Sequence, residues 1–209
     1  MLKTEGIVLK EMRYRDTSKI LSIYTKKYGK VSVMARGAYK PKSQMIANTQ
    51  PFSYNEYQLY QGKSFYYINQ GDIIDSFYCI RERIERVVYG QYMLELMDKS
   101  IPEEQENEKL FMLLLKGLQV LSNLDKDFLK FIIAYELKFI SFLGYRPFLD
   151  KCVICGGLDM SHIKYSINEG GIICSDCFSK DSFSIYINDE ILDGMQKLLY
   201  SPLEKTTDY

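Results

Sequence analysis

Cys152-Val153-Ile154-Cys155 and Cys174-Ser175-Asp176-Cys177 decide how the last quarter of this chain folds. The two pairs share the spacing C-x2-C and stand eighteen residues apart, inside the window for a tetrahedral site of four thiolates. A two-residue gap lets both sulfurs of a pair turn onto one ion. The stretch between the pairs is long enough for a small hairpin that brings the second pair to the open side. Four thiolates close a coordination sphere and leave no position for water or substrate, so the pattern predicts a structural Zn2+ and not a catalytic one. Two disulfides, or a redox or iron–sulfur role, are the alternatives that spacing alone leaves open.

The rest of the sequence disfavours disulfides. Met1-Leu2-Lys3-Thr4-Glu5 starts an ordinary strand with no apolar leader and no cleavage site. No run approaches the about 18 apolar residues of a membrane span. A cytoplasmic protein away from any membrane is expected, with Cys79, the unpaired fifth cysteine, as a small buried hydrophobe. A length of 209 residues allows a sizeable core and more than one domain. The net charge of zero hides a gradient, because residues 1–50 carry eleven Lys/Arg against three Asp/Glu. Residues 81–150 carry ten against twelve, and residues 151–209 five against nine. A basic start and a mildly acidic remainder fit a polyanion at one end and a protein partner at the other, or simply lysines solvated on a sheet face.

Up to about Ser76 the pattern is that of strands. Ile7 and Leu9 share a phase, as do Leu21, Ile23 and Thr25, and again Val31, Val33 and Ala35, each set on one face. Lys27-Tyr28-Gly29-Lys30 reads as the turn between the last two, with Gly29 free to take positive φ. A phase change near Asn55-Glu56 in the block Phe52 to Tyr60 predicts a bulge. Ser64 to Ile68 and Asp72 to Phe77 read as two further strands, punctuated by Gly62 and Gly71. Five or six short, turn-linked strands predict a small closed barrel whose interior is filled by side chains.

From Ile80 the period becomes helical. Ile80, Ile84, Val87 and Leu94 form one stripe with Val88, Tyr92 and Met97, and Arg81, Glu82, Arg83, Glu85 and Arg86 take the opposite face. Ser100-Ile101-Pro102-Glu103 reads as a capping box that opens a second helix, apolar nearly all round from Leu110 to Leu121. A third helix is expected from about Asp127 to Leu143, capped by Gly144, and a last one from Asn188-Asp189-Glu190 through Leu199.

Enzyme chemistry finds little support. The only histidine, His162, lies between the cysteine pairs as an expected surface residue, so no Ser-His or Cys-His arrangement can be assembled elsewhere. Neither G-x-x-x-x-G-K-[ST] nor G-x-G-x-x-G occurs to cradle phosphates. A binding surface has a sharper focus in Arg36-Gly37-Ala38-Tyr39-Lys40-Pro41-Lys42-Ser43, which follows a barrel strand. Arg36, Lys40 and Lys42 are placed to meet phosphates and Tyr39 to stack on a base, with Lys26, Lys27 and Lys30 of the preceding turn extending the track. A solvated basic loop around a core tyrosine explains the same composition.

Gly6-Ile7-Val8-Leu9, Ile20 to Thr25, Tyr28-Gly29-Lys30, Ala35-Arg36-Gly37-Ala38, Pro41-Lys42-Ser43, Gln50-Pro51-Phe52 and Leu59-Tyr60 follow one another in an order that resembles the RecO family of recombination mediators. Asp75-Ser76-Phe77, Tyr92 to Leu96, Phe139 to Tyr145 and Leu149-Asp150-Lys151-Cys152 continue the likeness into the cysteine pairs. The resemblance implies an α+β multidomain chain: an oligonucleotide-binding (OB-fold) barrel over 1–79, a helical domain over 80–150, a four-cysteine zinc-binding element over 151–187, and a C-terminal helix over 188–209 packed on the helical domain. It implies DNA repair without catalysis, through binding of single- and double-stranded DNA, strand annealing and, with RecR, help for RecA in replacing single-strand-binding protein in the nucleoid. Zinc ligation then belongs to Cys152, Cys155, Cys174 and Cys177, and DNA contact to Arg36, Lys40 and Lys42, with Lys26, Lys27, Lys30 and Tyr39 in support. Members of that family continue further beyond the zinc element than Tyr209, so shortened final packing is expected. A zinc-ribbon adaptor that binds only proteins, or a nucleic-acid-processing enzyme with an unrecognised site, are the other classes.

Overall fold

The period-2 runs of the first third become five strands: β1 (Leu2–Tyr14), β2 (Ser18–Thr25), β3 (Gly29–Ala35), β4 (Tyr54–Gln61) and β5 (Tyr66–Asp75). The computed structural model describes residues 1–43, 45–158 and 161–206, so 159–160 of the four-cysteine segment and 207–209 of the C-terminal segment lie outside the described residues. The strands close into a barrel in the order β1-β2-β3-β5-β4. All its pairings are antiparallel except β3 with β5, which run parallel over Val33↔Tyr66 and Met34↔Tyr67. This is the OB-fold arrangement, with Val8, Leu21, Ile23, Val31, Val33 and Leu59 packed inside.

Register shifts shape the barrel, including one between Gln58 and Leu59 of β4. The register of β1 against β2 shifts between Val8 and Lys10, and that of β4 against β5 shifts at Tyr54/Asn55, where the phase change in the sequence predicts a bulge. The single helical turn α1 (Met45–Asn48) contributes a buried polar cluster. The Tyr57 hydroxyl donates to the Asn48 carbonyl at 2.5 Å, and the Asn55 amide donates to the Tyr57 hydroxyl at 2.9 Å. Burial outweighs the bond from Asn55 and holds the Tyr57 phenol well above its ordinary pKa. The two strands predicted on either side of Gly71 are one. β5 runs straight through that glycine, whose carbonyl accepts from the Asn48 amide at 2.8 Å.

The helices depart further from expectation. A 3-10 turn, Tyr78–Glu82, is followed by Arg83 in extended conformation, so α2 (Ile84–Ser100) starts later than the periodicity indicates. The break rotates the stripe: Ile80, Leu94 and Met97 are buried, but Ile84 and Val88 face solvent. Arg86, assigned to the solvated face, is buried because the carbonyls of Leu124 (3.0 Å) and Cys79 (3.1 Å) and the Asp125 carboxylate (3.0 Å) accept its guanidinium protons. Cys79 itself is exposed, not buried.

Ser100-Ile101-Pro102-Glu103 caps nothing. α2 ends at Ser100, and α3 (Glu108–Asn123) is capped by Asn107, whose side chain accepts from the Leu110 amide at 3.1 Å. Residues between these helices lie along β3 instead: Glu104 N–H donates to the Lys30 carbonyl at 2.9 Å, and the Ser32 hydroxyl to Glu103 at 2.9 Å. The apolar body of α3 is buried as predicted apart from Met112, which is exposed along with the polar Lys116 and Gln119.

The chain divides into two compact units, Met1–Phe128 and Leu129–Tyr209. α4 (Phe128–Phe142) ends as expected at Gly144, with Tyr145 N–H on the Ile140 carbonyl at 2.9 Å and Gly144 N–H on that of Ser141 at 3.1 Å. In the second unit β6 (Ile163–Ser166) pairs with β7 (Gly171–Cys174) on one side and β8 (Ile185–Ile187) on the other. α5 (Asp189–Tyr200), capped by Asn188, packs Leu199 with Leu149, Ile163 and Ile172. The Lys138 ammonium donates to the carbonyls of Leu199 (2.9 Å) and Ser201 (2.6 Å), which satisfies the end of α5.

Gly29 carries the densest constraint of the first unit. It adopts φ +66, and a Cβ there would lie 2.2 Å from the Gln105 carbonyl oxygen. Gly29→Ala should therefore cost more than the about 1–2 kcal/mol of left-handed backbone alone. Gly37→Ala, at φ +72 with only the flexible Lys40 stem nearby, should stay within that range when both are compared by urea unfolding.

Candidate nucleic-acid interface and metal centre

Barrel closure brings three connections to one end: the β1–β2 turn at Arg15-Asp16-Thr17, the segment from Arg36 that follows β3, and the β4–β5 loop at Gly62 to Phe65. Between them runs a groove of about 950 Å3, lined by Arg15, Arg36, Lys40 and Lys63 together with Tyr14, Met34, Phe65 and Tyr67. Asp16 is its one carboxylate among the described residues. The basic loop is held in place, since Tyr39 N–H donates to the Thr17 carbonyl at 2.9 Å and Lys40 N–H to that of Gly37 at 3.0 Å. Among the described residues no ion pair engages Arg15, Arg36, Lys40 or Lys63. Their charge is thus directed to solvent in a concave site.

The other residues singled out in the sequence fall elsewhere. Lys42, exposed at φ 65, follows the groove without lining it. Tyr39 lines a separate cleft of about 510 Å3 with Glu11 and Arg81, and the Lys19 ammonium (4.8 Å) and Arg13 guanidinium (5.7 Å) lie over its ring. Lys26, Lys27 and Lys30 sit at the far end of the barrel, because β2 and β3 run antiparallel away from the groove to reach their turn. They do not extend the track. Lys26 lies 3.6 Å from Glu108 and 3.9 Å from Glu5, and the Lys30 ammonium donates to the Asp98 carbonyl. Lys27 is exposed.

Sequence reasoning missed Arg15 and Lys63. Each sits in a short turn between strands, where a lone cation is ordinary. Only the topology of an OB-fold, whose β1–β2 and β4–β5 loops flank one face, makes them neighbours.

The cysteine pairs converge as their spacing predicts. All four sulfurs lie within 4.8 Å of one another, with Cys155 Sγ and Cys174 Sγ 3.6 Å apart. A tetrahedral ion with bonds of about 2.3 Å needs sulfurs about 3.8 Å apart, so the cluster fits one. The first pair sits in a tight knuckle: Gly156 N–H donates to the Cys152 carbonyl at 2.8 Å, and Gly157 N–H to Cys155 Sγ at 3.4 Å. The hairpin of β6 and β7 delivers the second pair, and Ile173 is buried in one cluster with Cys152, Cys174 and Cys177. His162 is exposed in the loop before β6.

The thiols also fit a cation electrostatically. Burial and the neighbouring thiols push Cys177 up to about 12 and raise Cys174. Burial opposes ionisation of Cys152 too, but backbone N–H groups around it prevail and draw it down to about 6. Four mutually opposed thiolates are relieved by a positive ion at their centre.

Fold and site together define an OB-fold protein with a basic groove and a four-cysteine element able to hold a metal ion. Residues 1–77 match the family description Recombination protein O N terminal, and residues 81–208 match Recombination protein O C terminal. The chain is 40% identical over 188 residues to the DNA repair protein RecO of Alkaliphilus metalliredigens, which covers 90% of this chain and 76% of that protein. It is 34% identical over 202 residues to the DNA repair protein RecO of Acetivibrio thermocellus, covering 97% and 80%, and 36% identical over 207 residues to that of Listeria monocytogenes serotype 4a, covering 98% and 80%. The chain belongs to the RecO family of DNA repair proteins.

Occupancy of the cysteine cluster can be counted chemically. With the ion bound, a thiol reagent should find one reactive cysteine, the exposed Cys79, and after chelation it should find all five. Five reactive thiols before chelation would mean that the cluster holds no ion.

Proposed function

We propose that the chain is a recombination mediator. It binds single- and double-stranded DNA, anneals complementary strands and, with RecR, assists RecA loading on strands coated by single-strand-binding protein, and it makes or breaks no covalent bond. The observation that carries this is the groove, where four cations from three loops meet without ion-pair partners among the described residues. Cations so placed displace condensed counterions from a phosphate backbone, and phosphate contacts hold a strand without reading its sequence. Annealing needs two like-charged strands to approach, and neutralising one of them lowers that repulsion. Within this proposal residues 1–79 act on the polynucleotide, 80–150 are the helical domain, 151–187 the metal element and 188–209 the C-terminal segment of a cytoplasmic, nucleoid-associated protein. No described helix is long and apolar enough to cross a membrane.

DNA contact falls on Arg36 and Lys40, joined by Arg15 and Lys63, with Lys42 on the flank. Arg15→Ala with Lys63→Ala should weaken single-strand binding for every sequence. It should also make the slope of log affinity against log salt shallower by about 1.4, at about 0.7 for each phosphate that is no longer neutralised. Lys27→Ala, at the far end of the barrel, should leave the slope unchanged. Fluorescence anisotropy across a salt series measures both, and an unaltered slope in the double variant excludes the groove as the interface.

The ion in the cysteine cluster is proposed to be zinc in a structural role. Four thiolates at tetrahedral distances suit a borderline-soft ion, and they leave no open position for chemistry. Elemental analysis should find one zinc per chain, and Cys174→Ser should lose it and lower the melting temperature. Stoichiometric zinc retained at full stability in that variant would contradict the assignment.

A further inference from the structure

Three aromatic rings line the groove, and two already have a guanidinium against them. The Arg15 guanidinium lies 5.3 Å from the centroid of Tyr14, and that of Arg36 lies 4.5 Å from the centroid of Tyr67. Tyr67 is further engaged. Its cross-strand neighbour Tyr60 stacks on it at 5.0 Å with the planes 12° apart. β5 lies between β4, which carries Tyr60, and β3, which leads into Arg36, so the ring is held from both sides. Gly62 makes room for this, because a Cβ there would lie 2.5 Å from Tyr67 Cε2. The third ring, Phe65, is half-buried.

A single strand held through its bases needs a run of open aromatic faces, one per base. This groove offers cations in their place. We infer that it grips the sugar–phosphate backbone of a single strand and leaves the bases outward, with Tyr67 as the positioning residue that aims Arg36 at a phosphate. This rests on the DNA-binding function proposed above. Its consequence is direct: a strand held by its backbone presents its pairing edges to a complement without first being released. The Tyr60–Tyr67 stack fixes the guanidinium plane, so less side-chain freedom is lost on binding than for a solvated arginine.

The test compares a mixed-sequence oligodeoxynucleotide with an abasic strand of the same length and charge, titrated against the whole protein across a salt series. The two should bind within about twofold of each other and with equal slopes. One stacked base contributes at least about fivefold in affinity, so a larger deficit for the abasic strand, with the ordinary strand still bound, overturns the inference. If neither strand binds, the DNA-binding function itself fails.

A second arm addresses Tyr67. Tyr67→Leu should weaken binding several-fold and make the slope shallower by about 0.7, Tyr67→Phe should restore both, and adding Arg36→Ala to Tyr67→Leu should change little more. Thermal melting of each variant separates loss of fold from loss of aim. A Tyr67→Leu protein that melts normally and keeps the parental slope removes Tyr67 from this role.

Discussion

The short parallel seam between β3 and β5 is the contact on which the groove depends. Only Val33↔Tyr66 and Met34↔Tyr67 are paired across it, yet it turns an open five-stranded sheet into a barrel. Closure removes two free strand edges, each a row of unpaired amides and carbonyls. It also carries the β4–β5 loop, with Lys63, to the segment after β3, with Arg36 and Lys40. Without the seam these cations would lie at opposite margins of a sheet, and their fields would not add over a common concavity. Tyr67 belongs both to the seam and to the arginine stack, so the residue that closes the barrel also orients the charge.

The barrel is divided electrostatically along its length. At the groove end four cations face water. At the hairpin end the outer surface of β2 and β3 is covered by an acidic stretch: Ser22 donates to Asp98 at 2.6 Å, Ser32 to Glu103 at 2.9 Å, and Lys26 faces Glu108. The pair with Glu108 offsets Lys26, while Asp98 and Glu103, bonded to uncharged serines, keep negative charge where a phosphate would otherwise be attracted. The groove therefore favours a polyanion and the Lys26 end does not, with the boundary at Lys63, which shares a small cleft with Glu103 and Glu104. The net charge of zero over the chain conceals this separation.

How much of this was legible in the sequence follows from where the information resides. The cysteine cluster was legible because both pairs report on one ion through fixed local spacing, and the β2–β3 hairpin because alternation and a turn glycine agree. The helix start at Ser100 was misread for the converse reason. The cap pattern is locally sound, but the bridge of Glu103 to Lys30 and the turn at Glu104, with φ 58, keep that segment out of a helix. Arg86 looked solvated because its acceptors, Cys79, Leu124 and Asp125, lie up to 39 residues away. Charge counting joined Lys26, Lys27 and Lys30 to Arg36 and Lys40 because it sees neighbours in sequence, whereas β3 between them spans the height of the barrel. Lys63 went unnoticed because only the seam places it.

Neither the metal element nor the groove needs chemistry of its own. Four thiolates would saturate an ion, and such an ion would add order to a small segment whose own core is little more than Ile163, Ile172 and Ile173. Cations held by aromatic stacking and backbone hydrogen bonds are fixed before a ligand arrives, so binding sacrifices little side-chain entropy. Both devices use residues to hold a geometry. The work of the mediator proposed above is to change which strands lie near one another. A surface that neutralises phosphates while leaving the pairing edges free suits that task better than one that stacks the bases.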